Sequence, residues 1–127
     1  HVLAPGRQPP HTPAPALCVH DEGRVTLFGS GDPQTDLQIA LRLGLGMGLS
    51  EAVDAPRLRI HENMTLRMED CFDPSVLRAL EKAGHEIALD SAPASEAFAP
   101  AGALLRHRDG SVEATHDSRA GGAADGL

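Results

Sequence analysis

The sequence has no Trp, no Tyr and only three Phe. Its core must therefore be aliphatic, built from Leu, Ile, Val, Ala and Met, and the aromatic platforms on which single-stranded nucleic acids stack are missing. Positive charge is also short. Eleven Lys and Arg stand against 18 Asp and Glu, a formal net charge of −7, which argues against nucleic acid or an anionic membrane surface as the partner. No window approaches the roughly 20 apolar residues that a membrane-spanning helix needs. Cysteine is limited to Cys18 and Cys71. With no C-x-x-C spacing and no metal-type neighbourhood they read as two isolated, buried thiols, and a disulfide between them is left open.

What is present suffices for one domain, since 127 residues can enclose a real core. The chain starts at His1 and not at Met. It is expected to be a segment of a longer protein, so its compartment is not legible. Five prolines between His1 and Pro15 fix φ and remove donors, making that stretch extended or looped. Ala16–Val19 and Arg24–Phe28 are β-like runs joined by Asp21-Glu22-Gly23, a hairpin signal.

Asp32 followed by Pro33 predicts a helix start, the acid as N-cap and the proline at the first helical position. Leu37, Ala40, Leu41 and Leu45 then recur at helical spacing and predict one apolar face. Gly44, Gly46 and Gly48 end that helix; Ser50 is placed to cap a short second one, which Pro56 stops. Arg57–His61 and Thr65–Glu69 alternate as two half-buried strands around Glu62-Asn63-Met64. Asp73-Pro74 repeats the capping device before Val76, Leu77, Leu80 and Ala83, and Gly84 suits the residue after a helix. Ile87 and Leu89 continue as a strand, and Ala103–His107 pairs with Val112–Ala114 around an Asp109-Gly110 turn. Short hairpin strands with two main helices and a smaller one predict an α+β fold with antiparallel sheet. The whole of 1–127 is treated as one partial domain.

Gly29-Ser30-Gly31-Asp32 lies between a strand and a helix start. Small residues there let a ligand approach backbone N–H groups at a helix N-terminus, which suits an anion or a developing oxyanion. The same glycines also serve a plain tight turn, and both readings stand. The spacing is neither a P-loop nor G-x-G-x-x-G. His11-Thr12 is a polar pair fit either for substrate hydrogen bonding or for a solvated loop. The seven His show no H-x-H or H-x-x-x-H clustering, and no metal or cofactor is called for. His116, Asp117 and Ser118 hold the residue types of a triad, yet sequence neighbours rarely converge into one. Arg57, Arg59 and Arg67 are expected on the outward face of a hairpin, either solvated or holding a carboxylate.

Four stretches, in order, resemble the C-terminal part of the γ-glutamyltransferase (γ-glutamyltranspeptidase) family, bacterial type. Pro9–Leu17 is similar to its "RP-x-HTLSPAL". Gly46–His61 is similar to "GM-x-x-x-EAV-x-APR". Met68-Glu69 through Leu77, Leu80 and Ala83-Gly84-His85 is similar to the continuation "E … L … L-x-x-x-GH". Ala114–Gly126 is similar to the closing "G-A-x-DPR-x-x-G-x-A-x-G", with Ser118 where the family has Pro. The family's "G-T-P-G-G-D-x-Q" loop reads here Gly29-Ser30-Gly31-Asp32-Pro33-Gln34, two residues shorter and with one glycine of the pair.

The resemblance implies an N-terminal nucleophile hydrolase fold, an αββα sandwich of which this chain is the C-terminal segment of the small subunit. It implies an acyl-enzyme formed on an N-terminal Thr, absent from these 127 residues, with γ-glutamyl groups passed from glutathione or other γ-glutamyl amides to water or an amino acid. By residue, it assigns the glutamyl α-carboxylate to His11 and Thr12, the oxyanion loop to Ser30 and Gly31, and substrate contacts to Gly31 and Asp32. The expected partners are the γ-glutamyl substrate and the remainder of the same precursor, its large subunit. The isolated chain is expected to be inactive. A relative that keeps the fold as a scaffold or small-anion-binding module is the alternative.

Overall fold

A computed structural model describes residues 5–6, 15–91 and 98–125. His11 and Thr12 lie outside them. The first sheet has four strands in the order β1-β2-β6-β7: β1 Ala16–Val19, β2 Val25–Ser30, β6 Ala101–Arg106 and β7 Val112–His116, all antiparallel. Both predicted hairpins are present, with Gly23 and Gly110 at φ of 84° and 89° where the turns need the left-handed region. The second sheet has the order β3-β4-β5, from β3 Leu58–Ile60, β4 Leu66–Glu69 and β5 Ile87–Asp90. Here β3 and β4 are antiparallel but β4 and β5 run parallel, joined through helix α3, Pro74–Lys82. That single β-α-β unit was not expected. A strand reached through a helix comes back in the same direction as the strand that entered it, which local periodicity does not reveal.

Helices α1, Pro33–Gly44, and α2, Leu49–Asp54, pack on one face of the four-stranded sheet. Phe28, Ile39, Leu49, Val53, Ala101 and Ala103 form the core between them, each large side chain contributing about 1.5–3 kcal/mol by leaving water. The buried hydrophobic residues are aliphatic apart from Phe28 and Phe98, as the composition requires.

Two helical expectations are corrected. Helix α2 is capped by Gly48 without a side-chain bond, and Ser50 sits inside its first turn. Helix α1 does not bury its leucine stripe: Leu37, Leu41 and Leu45 are 60%, 58% and 88% exposed, while Thr35, Asp36 and Ile39 face inward. The cause lies in the second sheet. Gln38 donates Nε2 to Leu58 O at 2.8 Å and accepts from Leu58 N at 3.0 Å. Gln34 does the same at Ile60, with distances of 3.0 and 2.8 Å. Two glutamine amides one helical turn apart thus satisfy alternate residues of the β3 edge, and they orient the helix against its own apolar periodicity.

The cysteine expectation changes too. Cys18 and Cys71 are both free, but both are exposed, because Cys18 lies on the edge strand β1 and Cys71 in the turn before α3.

Candidate functional site

The turn from β2 into α1 is built as the sequence suggested. Asp32 caps α1, its carboxylate accepting from Gln34 N and Thr35 N at 3.3 Å each and from Thr35 Oγ1 at 3.0 Å. Ser30 Oγ accepts from Asp32 N at 3.0 Å and donates to Asp32 O at 2.9 Å. Asp32 is therefore buried and bonded to its own turn, whereas Gly31 is exposed. Ser30 ends β2 directly opposite Ala101. A side chain at Gly31 would begin 3.7 Å from the Ala99 methyl, and one at Gly29 would begin 3.2 Å from Pro15 Cα. The turn is narrow, self-bonded and open on one side at Gly31.

Beside it lies an ion cluster that periodicity misplaced. Arg57, expected on an outward face, has a fully buried side chain. Its Nη1 meets Asp117 Oδ2 at 2.7 Å and donates to Ala99 O at 2.8 Å, and its Nη2 donates to Val53 O at 2.7 Å. Arg119 grips Glu69 with Nε at 2.6 Å and Nη2 at 2.7 Å, and reaches Asp117 Oδ1 with Nη1 at 3.0 Å. Glu69 also accepts from the Arg57 backbone N–H at 2.7 Å. Two cations and two carboxylates make the cluster neutral, and each charge has charge-assisted bonds.

Burial works against the charge of Arg57, Arg119 and Asp117. For Arg57 it prevails over the neighbouring Asp117, and the guanidinium pKa is lowered. For Arg119 burial is outweighed by the Glu69 and Asp117 carboxylates, and the pKa is raised. Asp117 is desolvated as well, yet the Arg119 backbone N–H and guanidinium, with Arg57, hold its carboxyl below the usual range.

Asp117 is thus committed to arginines, and Ser118 is exposed with its N–H on Asp54 Oδ1 at 3.0 Å. No hydrogen bond joins His116 to Asp117 among those seen, so the three neighbours do not form a triad. Arg67 pairs with Asp90 across the parallel strands through Nε at 2.8 Å and through Nη2. Among the described residues no group of three or more His, Cys, Asp or Glu is placed to hold a metal, and no helix is long and apolar enough to cross a membrane.

Sequence reasoning missed two things here. One is the cluster, whose signal was Arg57 and Arg119 in separated family phrases. The other is Asp36, 8% exposed with neither carboxylate oxygen hydrogen-bonded among the described residues.

A family model described as gamma-glutamyltranspeptidase matches residues 1–127. The chain belongs to the γ-glutamyltranspeptidase family. Among curated relatives, it is 37% identical to the oxamate amidohydrolase proenzyme of Klebsiella pneumoniae subsp. pneumoniae, over 98% of this chain and 25% of that protein. It is 30% identical to glutathione hydrolase proenzyme 1 of Schizosaccharomyces pombe, over 94% of this chain and 19% of that one. The chain therefore spans a quarter or less of these two relatives. Among solved structures, the Bacillus anthracis transpeptidase CapD superposes with a TM-score of 0.79 at 23% identity, covering 99% of this chain and 77% of that one. An acivicin-inhibited gamma-glutamyltranspeptidase gives 0.74 at 23% identity, over 92% and 65%. At such identity the likeness is one of fold, and it shows the expected α+β, N-terminal nucleophile hydrolase-type architecture. Within this family, the open turn at Gly31 and the ion cluster behind it are the features to be explained.

Proposed function

We propose that this γ-glutamyltranspeptidase-family chain is the C-terminal segment of the small subunit of a proenzyme. In it, the chain supplies binding and oxyanion positions to a Thr nucleophile borne elsewhere in the precursor. The Thr hydroxyl would attack the amide carbonyl of a γ-glutamyl compound. The amine leaves with a proton, and water or an amino acid takes the acyl group from the resulting ester. Ser30 and Gly31 line the oxyanion, Asp32 holds their turn while contributing to the substrate side, and His11 and Thr12 take the glutamyl α-carboxylate. The observation that supports this is the turn itself: Gly31 is exposed at the end of β2 and the mouth of α1, and among the described residues the Ala99 methyl alone comes within 4 Å of where a side chain would start.

A second reading concerns the acyl group. Identity is higher to the oxamate amidohydrolase proenzyme than to the glutathione hydrolase proenzyme, which favours a small amide-bearing acid as substrate with the same acyl-enzyme chemistry. One assay panel separates the two. The full-length protein is incubated with γ-glutamyl-p-nitroanilide, glutathione and oxamate, and release of p-nitroaniline, glutamate or ammonia is followed. Turnover of the first two supports the γ-glutamyl reading, and turnover of oxamate alone supports the second. Folded protein with no turnover of any of them supports the scaffold alternative, for which the turn's shortness and the occupied Asp32 N–H speak. The isolated chain is expected to turn over none.

A further inference from the structure

The cluster of Arg57, Asp117, Arg119 and Glu69 is more than a core ion pair, because two of its members are bonded to the backbone that stands behind the turn. Arg57 Nη1 donates to Ala99 O at 2.8 Å. Two residues on, Asp117 Oδ2 accepts from Ala101 N at 2.9 Å and Asp117 N donates to Ala101 O at 3.0 Å. Both sides of Pro100 are thereby clamped. Ala101 is the register partner of Ser30, and the Ala99 methyl is the nearest described wall to Gly31, at 3.7 Å from its would-be side chain. Moving 99–101 moves the surface on which the turn rests.

We infer that Arg57 and Asp117 are positioning residues for the Gly29–Asp32 turn, acting through the clamped segment 99–101. This deepens the proposed function and rests on it for its catalytic consequence.

The energetics favour the same conclusion. Four charges whose side chains are at most 8% exposed bear a desolvation cost that good pairing only offsets. Apolar replacements of similar volume would often stabilise a fold as well or better, and the best-attested use of such a group is to fix geometry. Geometry is what an oxyanion site needs: donors must be held to within about 0.5 Å, and a misplacement of about 1 Å costs on the order of 100-fold in rate. The remaining members brace the clamp. Arg119 also donates to Asp54 O and Ala55 O at 3.0 and 3.2 Å, locking the end of α2 to the cluster.

The test uses the full-length protein and three variants. Asp117→Asn removes the charge but can still accept from Ala101 N. Ala99→Val presses on Gly31 without touching a charge. Arg67→Met removes the ion pair with Asp90 in the other sheet and controls for stability alone. On whichever amide the protein turns over, Asp117→Asn and Ala99→Val are expected to lower kcat roughly tenfold or more, with KM changed less than about threefold, by loss of transition-state geometry. Arg67→Met should leave both near wild type. Hydrogen exchange at the Gly31 and Asp32 amides should quicken in the first two variants and not in the third.

Unchanged kcat in a cooperatively folded Asp117→Asn and Ala99→Val would overturn the inference, as would an equal loss in Arg67→Met. If Asp117→Asn does not fold, Ala99→Val decides. If the wild type turns over none of the amides, the functional proposal has failed. The exchange data then decide positioning by themselves, selective quickening at Gly31 and Asp32 supporting it and uniform quickening overturning it.

Discussion

Arg57 and Asp117 face each other at 2.7 Å with neither side chain exposed. At that depth the loss of one partner leaves the other charged and dry. Arg57→Ala in the full-length protein is therefore expected to cost about 3–5 kcal/mol, read as a fall in the denaturant midpoint. Asp117 also sets a pH dependence. Its carboxyl is held below the ordinary range by Arg119 and Arg57, against the effect of burial. The folded state thus takes up this proton at lower pH than the unfolded chain does. The stabilisation is present above the unfolded value of about 4 and is lost as pH falls through the lower folded value. Asp117→Asn should flatten that acid limb in melting curves measured between roughly pH 5 and 2, and an unchanged limb would contradict the assignment.

At the scale of elements, the junction of α1 with β3 is the unusual one. The helix closes a strand edge through the side-chain amides of Gln34 and Gln38, each giving and taking one bond. Gln38→Ala would leave Leu58 N and O without those partners, and half-burial makes that costly. A loss of about 1–3 kcal/mol is expected, with faster hydrogen exchange at Leu58 and Ile60 but not in β6. Gln38→Glu keeps the acceptor and loses the donor, so it should fall between the two. The N-cap is simpler: Asp32→Ala should cost about 0.5–2 kcal/mol and loosen the turn that Gly31 shares.

For the whole molecule, the side of the four-stranded sheet away from α1 and α2 is apolar and uncovered among the described residues. Leu17 pairs with Leu27 and Leu27 with Leu104 in register, so they share a face, and Val112 joins them two residues beyond Ala114. These residues are 64%, 42%, 38% and 56% exposed. Such a face calls for a covering layer. Produced alone, the chain should bind a hydrophobic dye and self-associate in sedimentation, and Leu27→Thr with Leu104→Thr should reduce both. A dye-silent monomer would contradict this.

The sequence by itself determined the elements and the family. Asp32-Pro33, Asp73-Pro74, Gly84 and the Asp109-Gly110 turn act through local backbone chemistry, so capping and turn rules placed them. The family phrases led to the fold class, and the Gly29–Asp32 turn was legible as a candidate site for the same local reason. The direction of α1's faces, the parallel β4–β5 pair and the burial of Arg57 were decided only in three dimensions. Leu37, Leu41 and Leu45 have the right spacing for a core, but bonds from Gln34 and Gln38 to a strand 20 to 26 residues away turned them outward. Arg57 reads as the polar step of an alternating strand, yet Asp117, brought to it by the end of β7, made its burial possible. Local rules see neighbours in the chain. A buried charge is settled by partners distant in sequence, and so is the surface on which the Gly29–Asp32 turn rests.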